Sequence, residues 1–344
     1  MDKIDFVLPW VDGNDTQWQR KKNLYIQELK HTKENDHGML RYRDTNTLKY
    51  VLRSIEQFCP WYNKIHLITE GHFPEWLNID HPKINLVTHE ELYFDSSHLP
   101  TFNSSSIEMN LPNLKGLTEK FVYLNDDCLI FNSLEPERFF IDDKPVDFLH
   151  HGWIPRNKIY QALRDNSDWV KSLNNAIRLI NTVVVPRDVK DKKNIFFHPT
   201  YGMLNKFSNF FLLYLWQKYF FIHHWHHPQP YKLSLLKEVY QQFKVPMMRG
   251  SKNRFRNGND LTQYLYRYYH LTKERFYPYY HNDGVYANIT SYAALEDIID
   301  TLNHGLYNFV AVYDNYKEEE SQQIVDRLTE FLEIKFPNKA SFEK

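Results

Sequence analysis

Short apolar, β-branched runs alternate along the chain with longer stretches in which apolar residues recur every three or four positions. That alternation predicts strands and helices in turn, hence an α/β fold. Residues 4 to 11 (IDFVLPWV) read as a first strand, turned by Asp12-Gly13-Asn14-Asp15. Thr16 to about Asn35 reads as a charged helix anchored by Trp18, Tyr25 and Leu29. Leu48, Val51, Leu52, Ile55 and Phe58 share one face of a helix over 46–58, which Pro60 ends. Three further strands are predicted at Lys64 to Thr69 (KIHLIT), Ile84 to Thr88 (INLVT) and Lys120 to Leu124 (KFVYL). Their order, with helices between, predicts a mostly parallel sheet with right-handed crossovers.

The second half is less regular. Residues 140–195 show weak periodicity and read as a helical insertion or lid. Phe207 to Trp225 is strongly aromatic but interrupted by Gln217 and Lys218, too short to span a bilayer, and reads as a buried or interfacial helix, which could touch lipid or a lipid-linked acceptor but reads first as a core helix. Helical patterns follow over Lys232 to Phe243, Asp260 to Leu271 and Glu318 to Ile334, with a strand at Asn308 to Val312 (NFVAV). With no repeat or low-complexity linker, 1–344 reads as a single unit.

Composition narrows the function. A net charge of −1 argues against nucleic-acid binding driven by bulk charge. Two cysteines, Cys59 and Cys128, make no disulfide framework, and no signal-peptide pattern opens the chain, so a cytoplasmic location is expected. Aromatics make up 16 %, which suits a sugar-handling cleft as well as a packed core. No GxGxxG or P-loop motif is present.

Candidate chemistry begins where the KFVYL strand stops at Asn125-Asp126-Asp127. Ligands of open α/β sheets bind at the carboxyl ends of strands, and two adjacent carboxylates there call for a cation. Eighteen residues earlier stands Glu108, which could equally be a capping acid paired with Ser105. Arg41 and Arg43 precede a helix start and could hold a diphosphate, or pair with Asp44 at the surface. Asp12 could reach a nucleotide or sugar hydroxyl, or simply serve its turn. The run from His223 to Pro228 is dense in imidazole, and Arg249, Lys252, Arg254 and Arg256 form a basic loop suited to phosphate. Asp314 and Asn315 end the last strand.

Taken together, IDFVLPWVDGND, RYRDTNTLKYVLRSIEQFCPW through FVYLNDD, HHP with RFRNGND, and FVAVYDN resemble, in order and spacing, the Stealth family of sugar-phosphate transferases. The resemblance implies a mostly parallel sheet like those of Rossmann and GT-A enzymes, flanked by helices. Residues 1–135 would bind the nucleotide sugar, 140–195 would be the insertion, and 196–344 would complete the site. It implies transfer of an intact sugar 1-phosphate from a UDP-sugar to a hydroxyl of a glycan or lipid-linked oligosaccharide, with UMP leaving, in capsule or surface polysaccharide synthesis.

Carried over residue by residue, the resemblance makes Glu108, Asp126, His226 and Arg256 catalytic. It makes Asp126, Asp127, Asp314 and Asn315 ligands of Mg2+ or Mn2+, and Asp12, Arg41, Arg43, Asn125 and Arg254 substrate-binding. Tyr313 stands where relatives carry Asn. Peripheral attachment at the inner face of the membrane fits the same role. His226 could act as base, as electrostatic catalyst or as covalent nucleophile. Two rival readings stay open: a metal-dependent GT-A glycosyltransferase, which would release UDP, and a carbohydrate-binding protein without catalysis.

Overall fold

The computed structural model describes residues 2–27, 42–43, 45–152 and 167–344. Arg41 and the helix proposed up to Asn35 therefore lie outside, or partly outside, the described residues. Strand β1 (Ile4–Pro9) is followed by helix α1 (Thr16–Gln27) and helix α2 (Thr47–Phe58), then strands β2 (Ile65–Thr69) and β3 (Ile84–Thr88). A short helix α3 (Ser104–Glu108) leads to β4 (Lys120–Tyr123) and, after a tight turn, β5 (Cys128–Ile130). The main sheet has the order β3-β2-β1-β4-β7, where β7 is Gln229–Lys232. Its first four strands are parallel, as expected, and β7 runs antiparallel at the edge.

Alternation along β1 explains the two-sided core. Ile4, Phe6 and Leu8 face one layer with α2, whereas Val7 faces the opposite layer with Ile68, Val87 and Phe121. The first layer is closed by a second sheet the sequence did not anticipate. In it β9 (Phe309–Asp314) lies parallel to β8 (Gly284–Ile289) and antiparallel to β5. Helices α8 (Tyr292–Asn303) and α9 (Ser321–Lys335) contribute Leu295, Ile299, Leu328 and Phe331 to the same core.

The region 140–195 opens in strands, not helix. Phe140–Ile141 pairs with β6 (Lys144–Asp147), which in turn pairs with Tyr277–Pro278. Helix α4 (Ser167–Ile180) then packs against α7 (Tyr264–Thr272) in the second core layer. The helix expected at Lys232 to Phe243 runs on as α6 (Leu233–Ser251), kinked at Phe243 with Pro246 inside it, so Arg249 belongs to its last turn. Phe207 to Trp225 is not a core helix. It holds α5 (Met203–Phe211) and one π-helical segment (Leu212–Trp216), with several of their aromatics exposed. Among the described residues no helix is long and apolar enough to cross a membrane.

Candidate active site

The carboxyl end of β4 gathers the chemistry. Antiparallel β7 pairs Gln229 with Tyr123, which brings His226, three residues upstream, beside the Asn125–Asp127 turn. His226 Nε2 lies 3.1 and 3.2 Å from the two Asp127 carboxylate oxygens and 3.2 Å from the Asn125 amide. Burial alone would lower the His226 pKa, but the Asp127 carboxylate and neighbouring Cys128 override it and hold the imidazole well above its ordinary value. The backbone of His226 is fixed as well, because its N–H donates to the Tyr286 hydroxyl at 2.7 Å.

Glu108 is not a capping acid. Asn103 caps α3 by accepting the Ser105 N–H, and the Glu108 carboxylate instead accepts from the Tyr123 hydroxyl (3.1 Å) and the Gln263 N–H (2.7 Å). Burial pushes its pKa up to about 7, opposed by those two donors and by the positive charges of Arg256 and His226. Arg256 reaches this group from the basic loop, with a long contact to Ser104 Oγ at 3.4 Å. Its neighbours spread out. Arg254 donates to the Leu99 carbonyl and stacks over Tyr25, while Arg249 and Lys252 are exposed. The structure thus reduces the four-cation clamp to Arg256 at the site.

On the other side, β5 and β9 place Asp127 next to the end of the last strand. The Val312 N–H donates to the Asp127 carbonyl at 2.9 Å, and Asp314 follows two residues on. Burial pushes Asp314 up to about 6, Arg43 works against that, and the charge of Asp127 adds to it. Asp314 Oδ2 is buried without a hydrogen bond. Arg43 lies 3.8 Å from Asp314 and 2.7 Å from Glu318, over the Tyr316 ring, and Asp44, its other expected partner, lies outside the described residues.

Asp314 Oδ2, 3.8 Å from Arg43 and without a hydrogen bond, and the Asp127 carboxylate are hard oxygen donors of the kind a divalent cation takes. Asp126 is half-buried in the same turn as Asp127. The Asn315 amide is engaged with Asn288. Among the described residues one group, Asp127, Cys128 and His226, offers three donor atoms within 4.8 Å of one another. The Cys128 thiol is buried and pushed up to about 11, chiefly by burial and by the charge of Asp127.

Several residues were not legible in the sequence. Tyr313 puts its ring 5.4 Å from the His226 ring, and Tyr286 comes from a strand with no acidic signal. Beneath the histidine loop, Asp147 is buried among Arg267, His270 and Gln229, at 2.7 to 2.9 Å. Arg267 also donates to the His223 carbonyl, anchoring the loop from below. Asp12, by contrast, is occupied in its turn, where Oδ1 accepts the Asn14 N–H at 2.8 Å.

Comparison with known proteins gives a consistent result. Residues 2–30, 41–147 and 225–274 match Stealth protein conserved regions 1, 2 and 3. The capsular polysaccharide phosphotransferase WcwK of Streptococcus pneumoniae is 35 % identical over 100 % of this chain and 99 % of its own. The exopolysaccharide phosphotransferase cps2G of Lactiplantibacillus plantarum is 31 % identical over 99 % of this chain and 96 % of its own. A crystal structure of the galactosyltransferase LgtC with donor and acceptor sugar analogues overlies 96 % of this chain and 95 % of its own at 12 % identity, with a TM-score of 0.34.

Proposed function

The chain belongs to the Stealth family of polysaccharide phosphotransferases, and from that premise we propose that it moves a sugar 1-phosphate from a UDP-sugar to a hydroxyl of a glycan acceptor, releasing UMP. The observation that carries this reading is the geometry at one strand end, where His226 Nε2 meets the Asp127 carboxylate at 3.1 Å and the Asn125 amide at 3.2 Å, with the buried Glu108 carboxyl and Arg256 beside them.

Attack at the sugar-proximal phosphorus requires a base for the acceptor hydroxyl and positive charge around the phosphoryl oxygens. Glu108, poised at about 7, suits the base: ionised, it takes the acceptor proton as the new P–O bond forms. His226, whose pKa the Asp127 carboxylate holds above its ordinary value, suits the electrostatic role, with Arg256 adding a second positive charge. Of the roles the sequence left open, this gives the base to Glu108 and the electrostatic role to His226. The bond between the sugar-proximal phosphorus and the bridging oxygen breaks, and UMP leaves.

A divalent cation such as Mg2+, held by Asp127 and Asp314, would supply charge neutralisation on the diphosphate. For the nucleoside we assign the cleft of about 480 Å³ at the carboxyl ends of β2 and β3. It is lined by Lys21, Glu70, Thr88 and His89, and both His89 ring nitrogens are buried without a hydrogen bond. Supplying the protein with UDP-sugars, Mg2+ and glycan acceptors and identifying the released nucleotide tests the proposal. UMP is expected. UDP would make this a glycosyltransferase.

A further inference from the structure

Helix α5 is inside out. Its buried residues are polar: the Ser208 hydroxyl donates to the His151 carbonyl, and the Asn209 amide donates to the carbonyls of Leu149 (2.7 Å) and Phe196 (2.9 Å). The His151 N–H returns a bond to Asn209 Oδ1 at 2.9 Å. Met203, Leu204 and Phe210 are exposed, the reverse of an ordinary surface helix. Met203 is 87 % exposed and Leu204 81 %, and the face continues through Phe210, Tyr214 and Leu215 into the π-helical segment. Met203 and Phe210, seven apart, share one side of α5.

The sequence that carries this face is basic. From Lys192 to Lys237 the sequence contains no Asp or Glu, while Lys206 and Lys218 flank the apolar residues. Arg187, which shares its turn with Asp188, packs alongside and donates to the Tyr214 carbonyl at 3.4 Å. Large apolar and aromatic side chains ringed by lysine and arginine match the boundary between anionic lipid headgroups and acyl chains.

We propose that Met203, Leu204, Phe210, Tyr214 and Leu215 form a docking face that seats the protein on the surface of an anionic bilayer, lying in the interface without crossing it. The chain passes directly from this face to the site. Ile222 bridges to His151, and His226 follows four residues later. Docking would therefore hold the active-site loop close to the lipid surface. This inference does not depend on which reaction the site performs.

The test is flotation of the full-length protein with vesicles of phosphatidylcholine alone or mixed with phosphatidylglycerol, at low and high salt. Wild type is expected to float with the anionic vesicles, less at high salt, and the variant M203S/L204S/L215S to bind at least about tenfold more weakly. The circular dichroism of that variant and its turnover of a water-soluble acceptor should match wild type. Absence of flotation by the wild type would overturn the proposal, as would undiminished flotation of the variant. So would a concentration-dependent dimer in sedimentation that the same substitutions abolish, since the face would then belong to a second copy.

Discussion

Glu108 and His226 show how one low-dielectric site can push two groups in opposite directions. The carboxyl has neutral donors and only distant positive charge, so desolvation wins and its pKa rises to about 7. The imidazole has a carboxylate in direct contact, and that contact outweighs burial. Glu108→Gln keeps the shape and the acceptor for one of its two donors but removes the base, so kcat should fall roughly 10²–10⁴-fold with little change in KM. The same substitution reports on stability. A folded pKa raised above 4.5 means that the native state holds a proton the unfolded chain has lost. Stability should therefore decline as pH rises from about 4.5 to 7, and denaturant titrations across that window should show a shallower decline in the Gln variant.

The histidine loop owes its place to what lies under it. Arg267 and Asp147 are buried and bidentate, with His270 and Gln229 completing the set. Truncating one partner strands a charge. Arg267→Met should cost about 3–5 kcal/mol of unfolding free energy, read by urea denaturation, and should lower turnover through displacement of the loop. Gly284 in β8 tests the same support from the side. A Cβ there would stand 2.1 Å from His227 Nε2, so Gly284→Ala must shift the loop and should lower kcat far more than it lowers stability, about 1–3 kcal/mol by thermal melting.

Strands with uniform apolar runs, such as KIHLIT and KFVYL, were legible because periodicity and turn residues agree there, and so was the Asp126-Asp127 stop. The antiparallel pairing that carries His226 to Asp127 was not legible, because partners a hundred residues apart leave no local trace. Nor could the exposed aromatics of α5 be told from core aromatics, since composition does not reveal which face is anchored.

At the scale of the whole molecule, the two sheets and the chain's last helix behave as one core. Arg53 on α2 is buried and bonds Glu343 at 2.6 and 2.9 Å, Glu333 at 2.8 Å and the Phe336 carbonyl at 2.8 Å, tying the first helical layer to the end of the chain. Glu343→Ala should lower the unfolding free energy by about 3 kcal/mol, with fluorescence and circular dichroism still giving coincident transitions. This connectivity matters for function because Asp314 reaches Asp127 only through the second sheet.

The most direct measurement follows the phosphorus. A UDP-sugar labelled at the sugar-proximal phosphate, incubated with Mg2+, acceptor and either wild type or Asp127→Asn, separates the possible reactions. Label in the glycan product with wild type, lost in the variant, is the expected result. Label remaining in released UDP while unlabelled sugar appears on the acceptor would contradict the account.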